Sequence, residues 1–479
     1  MTRVALFTPL PPAKSGVAHY SSLLLPALAQ HVDVRAFDSL EGYRRADFDA
    51  VIYQLGNNPH HEVMYAEAMR EPGVVVLHDL VLHHLIVELT LARGDAEGYV
   101  EALEASHGAP GAAWARGRAA GLHSEMGNFL LPASVDIARR ATAVIVHNEY
   151  ARDRLRSFGV ETPIYVVPHP FVRETRVFDR DALRARHGLT PGQRVIGFFG
   201  FLTSAKRAEV VLEAFRIARE RDPRLALLIV GEPAPNIDLE KLRGEGIVAT
   251  GYVADEDFSS YYAVADRLVN LRYPSAGETS GTLIRAFDAG KPVAVSDYAQ
   301  FAEFPETCVF KVPLGAGEVA RLVEFFTADL PDVALAQRAW LERNATLERT
   351  VAGYLQALAP SPREAHSVIT EALPLFPRLT VAEASLVPSV PLVPSVPSVN
   401  GTNGTHRTNE THRTNGTHGH TNQNIRITIR NDGPATIRTR TYGQPEYRLI
   451  AKLFTASGEQ VQDRWLALPC DLTPGATAT

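Results

Sequence analysis

Hydrophobic and polar positions along the first 360 residues fall into two alternating textures. Short β-branched runs, RVALFTPL (3–10), AVIYQL (50–55), VVVLHD (74–79), AVIVHN (143–148) and YVVPHP (165–170), are separated by stretches with apolar residues at helical spacing, as in YSSLLLPALAQH and YARDRLRSFG. Strands alternating with helical crossovers predict βαβ units and a parallel sheet. The rhythm then repeats. RVIGFFGFL (194–202), LALLIVGE (225–232), IVATGYV (247–253), RLVNLRY (267–273), PVAVSD (292–297) and CVFKVP (308–313) are again joined by helical segments, the clearest being AEVVLEAFRIARERD (208–222). The pattern predicts an α/β chain with two tandem Rossmann-like domains. Their seam is expected between Phe171 and Pro191, where Pro, Arg and Asp accumulate and the strand rhythm pauses.

The texture changes near residue 386. LVPSVPLVPSVPSV (386–399) has recurrent Pro, which fixes φ and removes backbone donors, so it reads as an extended spacer. The polar tract NGTNGTHRTNETHRTNGTHGHTNQN (400–424) follows, with almost nothing that could join a core. Its Asn-x-Thr sequons at Asn400, Asn403, Asn409 and Asn415 read as low complexity, because no secretory signal is visible. Its histidines, His406, His412, His418 and His420, have nothing to fix a metal geometry. Beyond the tract, NIRITIRNDGPATIRTRTYG and YRLIAKLFTASGEQVQDRWLAL alternate apolar and polar residues around Asn-Asp-Gly and Ser-Gly turns, which predicts a small all-β unit. At 425–479 it is short for a closed sandwich of roughly 100 residues, so it is expected to be incomplete.

Composition bounds the possible functions. The 479 residues argue for about three folding units. With 45% hydrophobic and 21% charged residues the chain fits an ordinary globular protein. A formal charge of -6 gives no electrostatic case for a nucleic-acid partner. Two cysteines, Cys308 and Cys470, supply neither a disulfide framework nor a thiolate zinc site. MTRVALFTPL lacks a signal-peptide pattern, and the longest apolar run, Leu80 to Ala92, is short and carries His83, His84 and Glu88, so a cytoplasmic location is expected.

In an open parallel sheet, ligands bind at the carboxyl ends of the strands, so candidate residues are those just after each run. PLPPAKSGVAHY places Ser15 and Gly16 ahead of a helix, where a glycine lets a ligand approach exposed amides. VVVLHDLVLHH brings His78 and Asp79 to the same edge: His78 as a group that orients a hydroxyl or moves a proton, Asp79 as its orienting partner or as a cap of the next helix. GFFGFLTSAKRAEVVLEAF sets Lys206 and Arg207 at the start of a long helix, a placement the helix dipole disfavours unless an anion binds there. NLRYPSAGETSGTLIRAFDAGKPVAVSD supplies Arg272 directly after a strand, and Thr279, Ser280, Gly281 and Thr282 at a helix entrance whose amides and hydroxyls suit a diphosphate. Two cationic sites and an amide nest thus share one edge of one sheet.

These segments, with IVHNEYARDRLRSFGV leading to VVPHP and the GYV turn at Gly251, occur in family order, and residues 1–360 resemble a retaining group 1 (family 4) glycosyltransferase of the two-Rossmann GT-B fold. The resemblance implies two domains facing across a cleft, 1–175 on the acceptor side and 176–360 binding a nucleotide-diphosphate sugar, with a final helix (339–358) crossing back. A connecting segment (361–385), the linker (386–424) and a β module resembling immunoglobulin-like sandwiches (425–479) complete the chain. Transfer of a sugar to a sugar, glycan or lipid-linked acceptor with retention is implied. The implied partners are the donor and that acceptor, with room for peripheral membrane contact at the inner face and no obligatory cofactor or metal.

Residue by residue, Lys206 matches the family lysine on the donor diphosphate, and His78 the histidine that touches the donor sugar. The basic residue usual after the preceding glycine is Phe201 here, leaving Arg207 or Arg272 to compensate. Counting back from Gly290-Lys291-Pro292, the paired glutamates fall on Gly277, beside Glu278, and on Arg285, so Glu278 is the expected sugar contact and the ribose carboxylate is missing. Asp255-Glu256-Asp257 is read as an N-cap with an acidic first turn. A catalytically impaired nucleotide-sugar or glycan-binding scaffold, and an epimerase of the same fold, are the alternatives.

Overall fold

The computed structural model describes residues 1–359 except 11, 14, 201 and 233–243, together with strand segments between 379 and 478. Phe201 and the linker residues 388–423 therefore lie outside the described residues.

Each half of the first 360 residues builds a six-stranded parallel sheet. The first runs, in spatial order, Asp33–Phe37, Arg3–Phe7, Ala50–Leu55, Val74–Leu77, Ala143–Val146 and Ile164–Val166. The second runs Ile247–Ala249, Leu225–Val230, Arg194–Phe199, Arg267–Asn270, Val293–Ser296 and Phe310–Val312. The central strands are buried along their whole length because helices cover both faces, so they read as continuous apolar runs. Asp33–Phe37 was not predicted. It is an edge strand whose one buried residue is Phe37, so it lacks the apolar run that marks the others.

Both sheets belong to one compact unit. Where a helix 339–358 was expected, the chain forms Ala334–Asn344 and then, restarted by a Thr346 cap on the Arg349 amide, Leu347–Leu358. The second helix packs on the first domain: Tyr354 accepts the hydroxyl proton of Tyr20 (3.0 Å) and the Thr350 hydroxyl donates to the Pro168 carbonyl (2.9 Å). Asp255–Phe258 forms a short helix capped by Ala254, so Asp255 opens that helix and is not its cap.

In the separate C-terminal unit, Leu379–Val387 pairs antiparallel with Asn424–Asn431, which in turn pairs with Thr477–Ala478. The first of these strands falls in the stretch read as connecting segment and the start of the spacer. Among the described residues no helix is long and apolar enough to cross a membrane, and no group of three or more His, Cys, Asp or Glu could hold a metal ion.

Candidate functional site

In the second sheet, strand order reverses between Arg194–Phe199 and Arg267–Asn270, a switch point at which successive crossovers leave on opposite sides and open a crevice. The loops after these two strands carry most of the residues singled out above. Facing them are the loops after strands Arg3–Phe7, Ala50–Leu55 and Val74–Leu77. Together they line a cavity of about 2640 Å³ that includes Gly16, His78, Asp79, Lys206, Arg207, Arg272, Glu278 and Thr279 through Thr282.

Gly16 begins the first helix after Ser15, whose hydroxyl caps the Val17 amide, and a side chain at Gly16 would meet nothing within 4 Å. Gly251 differs from its expected role. It does not itself line the cavity; its carbonyl accepts the amide of Gly231 (3.0 Å), which does, so Gly251 supports the lining from behind. Gly231 itself, which sequence reasoning missed, packs so closely on Gly200 that a Cβ would lie 2.3 Å from the Gly200 carbonyl oxygen.

Lys206 is buried, and its ammonium donates to the Phe199 carbonyl at 2.7 Å. Desolvation, then the nearby Arg272 charge, push its pKa well below the ordinary value, with Glu278 opposing. Among the described residues the Phe199 carbonyl is its one hydrogen-bond partner, which leaves a buried ammonium short of negative charge. Arg207 is a correction. Held in a left-handed turn (φ 62°), it borders the cavity, but its guanidinium is committed to a buried two-pronged pair with Glu318 at 3.1 and 2.5 Å.

Arg272 bonds Glu278 through Nε (2.8 Å) and the Leu271 carbonyl through a terminal nitrogen (2.9 Å). The other Glu278 oxygen accepts from the Ser275 hydroxyl (3.2 Å) and the Ala276 amide (3.0 Å). Beyond this pair the helix Gly281–Asp288 begins. Ser280 caps it through the Leu283 amide (3.3 Å), leaving Gly281 and Thr282 with amides ahead of the first internal helix bonds. Here too a detail differs: the Ser280 and Thr282 hydroxyls donate to Asn270 Oδ1 at 3.1 and 2.9 Å instead of facing outward. Asn270 Nδ2 is thereby buried without a partner. A half-turn of that amide would set its NH2 against both hydroxyl oxygens and release their protons toward the cavity.

On the first domain, His78 and Asp79 do not pair with each other. His78 Nε2 faces the Gln54 amide, Oε1 in this placement, at 2.9 Å, and its Nδ1 faces His147 Nε2 at 3.2 Å. The Val167 carbonyl, 2.8 Å from His147 Nδ1, can only accept, so that nitrogen carries the proton. Burial lowers the pKa of His147 to about 4 and that of His78 well below its ordinary value, so both rings are neutral at pH 7. Neutral His147 must then accept from His78 Nδ1, and His78 Nε2 must accept from Gln54. That requirement also gives a partner to the Gln54 NH2, otherwise buried without one. Both nitrogens of His78 are thus engaged inside the protein.

Asp79 accepts the Asn57 amide at 2.8 Å and caps no helix; the next one, His83–Leu89, receives its cap from Asn57 Oδ1, which takes the His84 and Leu85 amides. Burial, with Glu278 next in effect, raises the Asp79 carboxyl to about 7, against the opposing Asn57 amide and Arg272. Gln54, Asn57 and His147 were missed by sequence reasoning. A polar residue at the end of an apolar run, as in YQLGNN and IVHN, is the one signal they offered.

Residues 193–324 match the family described as Glycosyl transferases group 1. That stretch holds all six strands of the second sheet, Lys206, Arg272, Glu278 and the 281–288 helix. The chain is also 32% identical over 145 residues to the D-inositol 3-phosphate glycosyltransferase of Rhodococcus erythropolis, a match covering 28% of this chain and about a third (32%) of that protein. Two solved structures share the fold across both domains. Sucrose-phosphate synthase from Thermosynechococcus elongatus superposes with a TM-score of 0.53 at 15% identity, over 74% of this chain and 98% of that one. Anabaena HepE in complex with UDP gives 0.50 at 17% identity, over 74% and 100%. The fold is GT-B.

Proposed function

We propose that the protein is a glycosyltransferase that moves a sugar from a nucleotide-diphosphate donor to a sugar, glycan or lipid-linked acceptor, with retention at the anomeric carbon. The observation that carries this reading is the convergence, at one switch point, of a buried lysine whose one hydrogen-bond partner among the described residues is a carbonyl (Lys206), an Arg272–Glu278 pair and a helix end whose first amides precede the internal helix bonds. Breaking the bond from sugar to diphosphate builds negative charge on the leaving group and positive character on the anomeric carbon. Lys206, the amides of Gly281 and Thr282, and Arg272 once it turns from Glu278, would meet the first. Glu278 would contact the sugar. Asp79, with a carboxyl near pKa 7, is suited to proton movement at the acceptor side. Residues 1–175 would hold the acceptor, including by peripheral contact where it is lipid-linked, and 176–360 the donor. The strands within 425–479 are read as an immunoglobulin-like module.

UDP is the nucleotide in the HepE complex, so UDP-sugars are the first donors to test, with GDP-sugars beside them. Transfer or slow hydrolysis of one donor supports the proposal. Binding without either supports a second reading, a nucleotide-sugar scaffold, favoured by one observation: both ring nitrogens of His78 are engaged by Gln54 and His147.

A further inference from the structure

The helix Glu149–Ser157 begins where the two domains meet, and its first turn is tied to the second domain twice. Asn148, buried at 7% exposure, divides its amide between two tasks: Oδ1 caps its own helix through the Ala151 amide (2.8 Å), and Nδ2 donates to the Gly277 carbonyl of the other domain (2.8 Å). Glu303 reaches back from the second domain and accepts the Tyr150 and Glu149 amides at 2.6 and 3.2 Å, a carboxylate on the positive end of a helix.

Both ties lead to Glu278. Gly277 precedes it, and the adjacent Ala276 carbonyl accepts the Val81 amide of the first domain (3.0 Å). Gly277 sits at φ 75°, and a Cβ there would lie 2.7 Å from that of Leu80, so the loop is seated tightly on the first domain. Glu303 shares the turn Ala299–Glu303 with Gln300, whose amide donates to the Glu278 carbonyl (2.8 Å) and accepts from the Ser275 hydroxyl (2.8 Å). One arm grips the loop directly; the other grips the turn that braces it.

We propose that Asn148 and Glu303 are positioning residues that couple closure of the two domains to the placement of Glu278 and the 281–288 helix end, so that the nucleotide-sugar site is complete only in the closed state. This rests on the reading of that site given above.

The two tasks of Asn148 can be separated. Asn148→Asp keeps a good cap for the Ala151 amide but replaces the donor to Gly277 with an acceptor, and Asn148→Ser caps without reaching Gly277. In the full chain, both should melt within a few degrees of the parent, show a larger radius of gyration by solution scattering without ligand, and bind UDP about tenfold more weakly, with a matching fall in donor kcat/KM. A purely structural Asn148 would move the melting temperature and spare affinity and scattering. Glu303→Gln should act in the same direction, and it carries both readouts if the Asn148 variants fail to fold. Parental scattering and parental affinity in the folded variants would overturn the proposal. If the parent binds neither UDP nor GDP, the donor-site reading fails and takes the coupling with it, while scattering still reports whether Asn148 and Glu303 hold the domains closed.

Discussion

Asp79→Asn isolates the most perturbed carboxyl of the site. Asparagine keeps an oxygen for the Asn57 amide and removes only the ionisation. Moving a carboxyl from the ordinary 3.8 to about 7 corresponds to at most about 4 kcal/mol, at 1.36 kcal/mol per decade. The sign follows from proton binding. The folded chain keeps a proton that the unfolded chain releases between pH 3.8 and 7, so stability falls as pH rises through that window and the full penalty stands above pH 7. At pH 5 about 1.7 kcal/mol of the penalty is present and at pH 8 nearly all of it, so the gain from Asp79→Asn should grow by about 2.5 kcal/mol between the two. In melting temperature, with about 2.1 cal/mol/K of unfolding entropy per residue over the two-domain unit, the variant-minus-parent difference should be about 3–4 °C more positive at pH 8 than at pH 5. An equal difference at both pH values, or a variant less stable than the parent at pH 8, would refute the assignment of a half-buried, proton-holding Asp79 under the influence of Glu278.

Three further outcomes follow from the same geometry. Ser280→Ala removes the cap on the 281–288 helix and a bond to Asn270, and should cost about 1 kcal/mol in urea denaturation while weakening nucleotide binding. Gly277→Ala forces a side chain against Leu80 at a positive φ and should cost about 1–3 kcal/mol, with the loss visible as domain opening in scattering. Arg207→Met strands the buried Glu318 carboxylate and should cost about 3–5 kcal/mol, yet leave the nucleotide affinity of the folded fraction unchanged, because that guanidinium serves the fold and not the ligand.

The central strands of both sheets were legible because burial on two faces writes an uninterrupted apolar run; Val74–Leu77 and Leu225–Val230 could hardly be read otherwise. Asp33–Phe37 was not, since an edge strand needs only part of one face buried. The long helix Ala96–Ala119 was also hidden, broken at Gly108 (φ 65°) just ahead of Pro110. Lys206, Arg272, Glu278 and Thr279 through Thr282 could be found from their places after strands, which the topology then brings to one edge. What a side chain does there depends on distant partners. His78 is governed by Gln54 and His147, 24 and 69 positions away, and Arg207 by Glu318, 111 away. No local pattern announces such pairs. The same holds for Asn148 and Glu303, ordinary polar residues until two domains close around them.

The central claim is that Lys206 and the end of the 281–288 helix hold the diphosphate of a nucleotide sugar. Calorimetric titration of the full chain with UDP and with uridine, and with GDP and guanosine, tests it most directly when repeated on Lys206→Ala. The account predicts that one diphosphate binds at least about 100-fold more tightly than its nucleoside, roughly 2.7 kcal/mol, and that Lys206→Ala removes most of that margin. A nucleoside that binds as well as its diphosphate, or a margin untouched by Lys206→Ala, would contradict it.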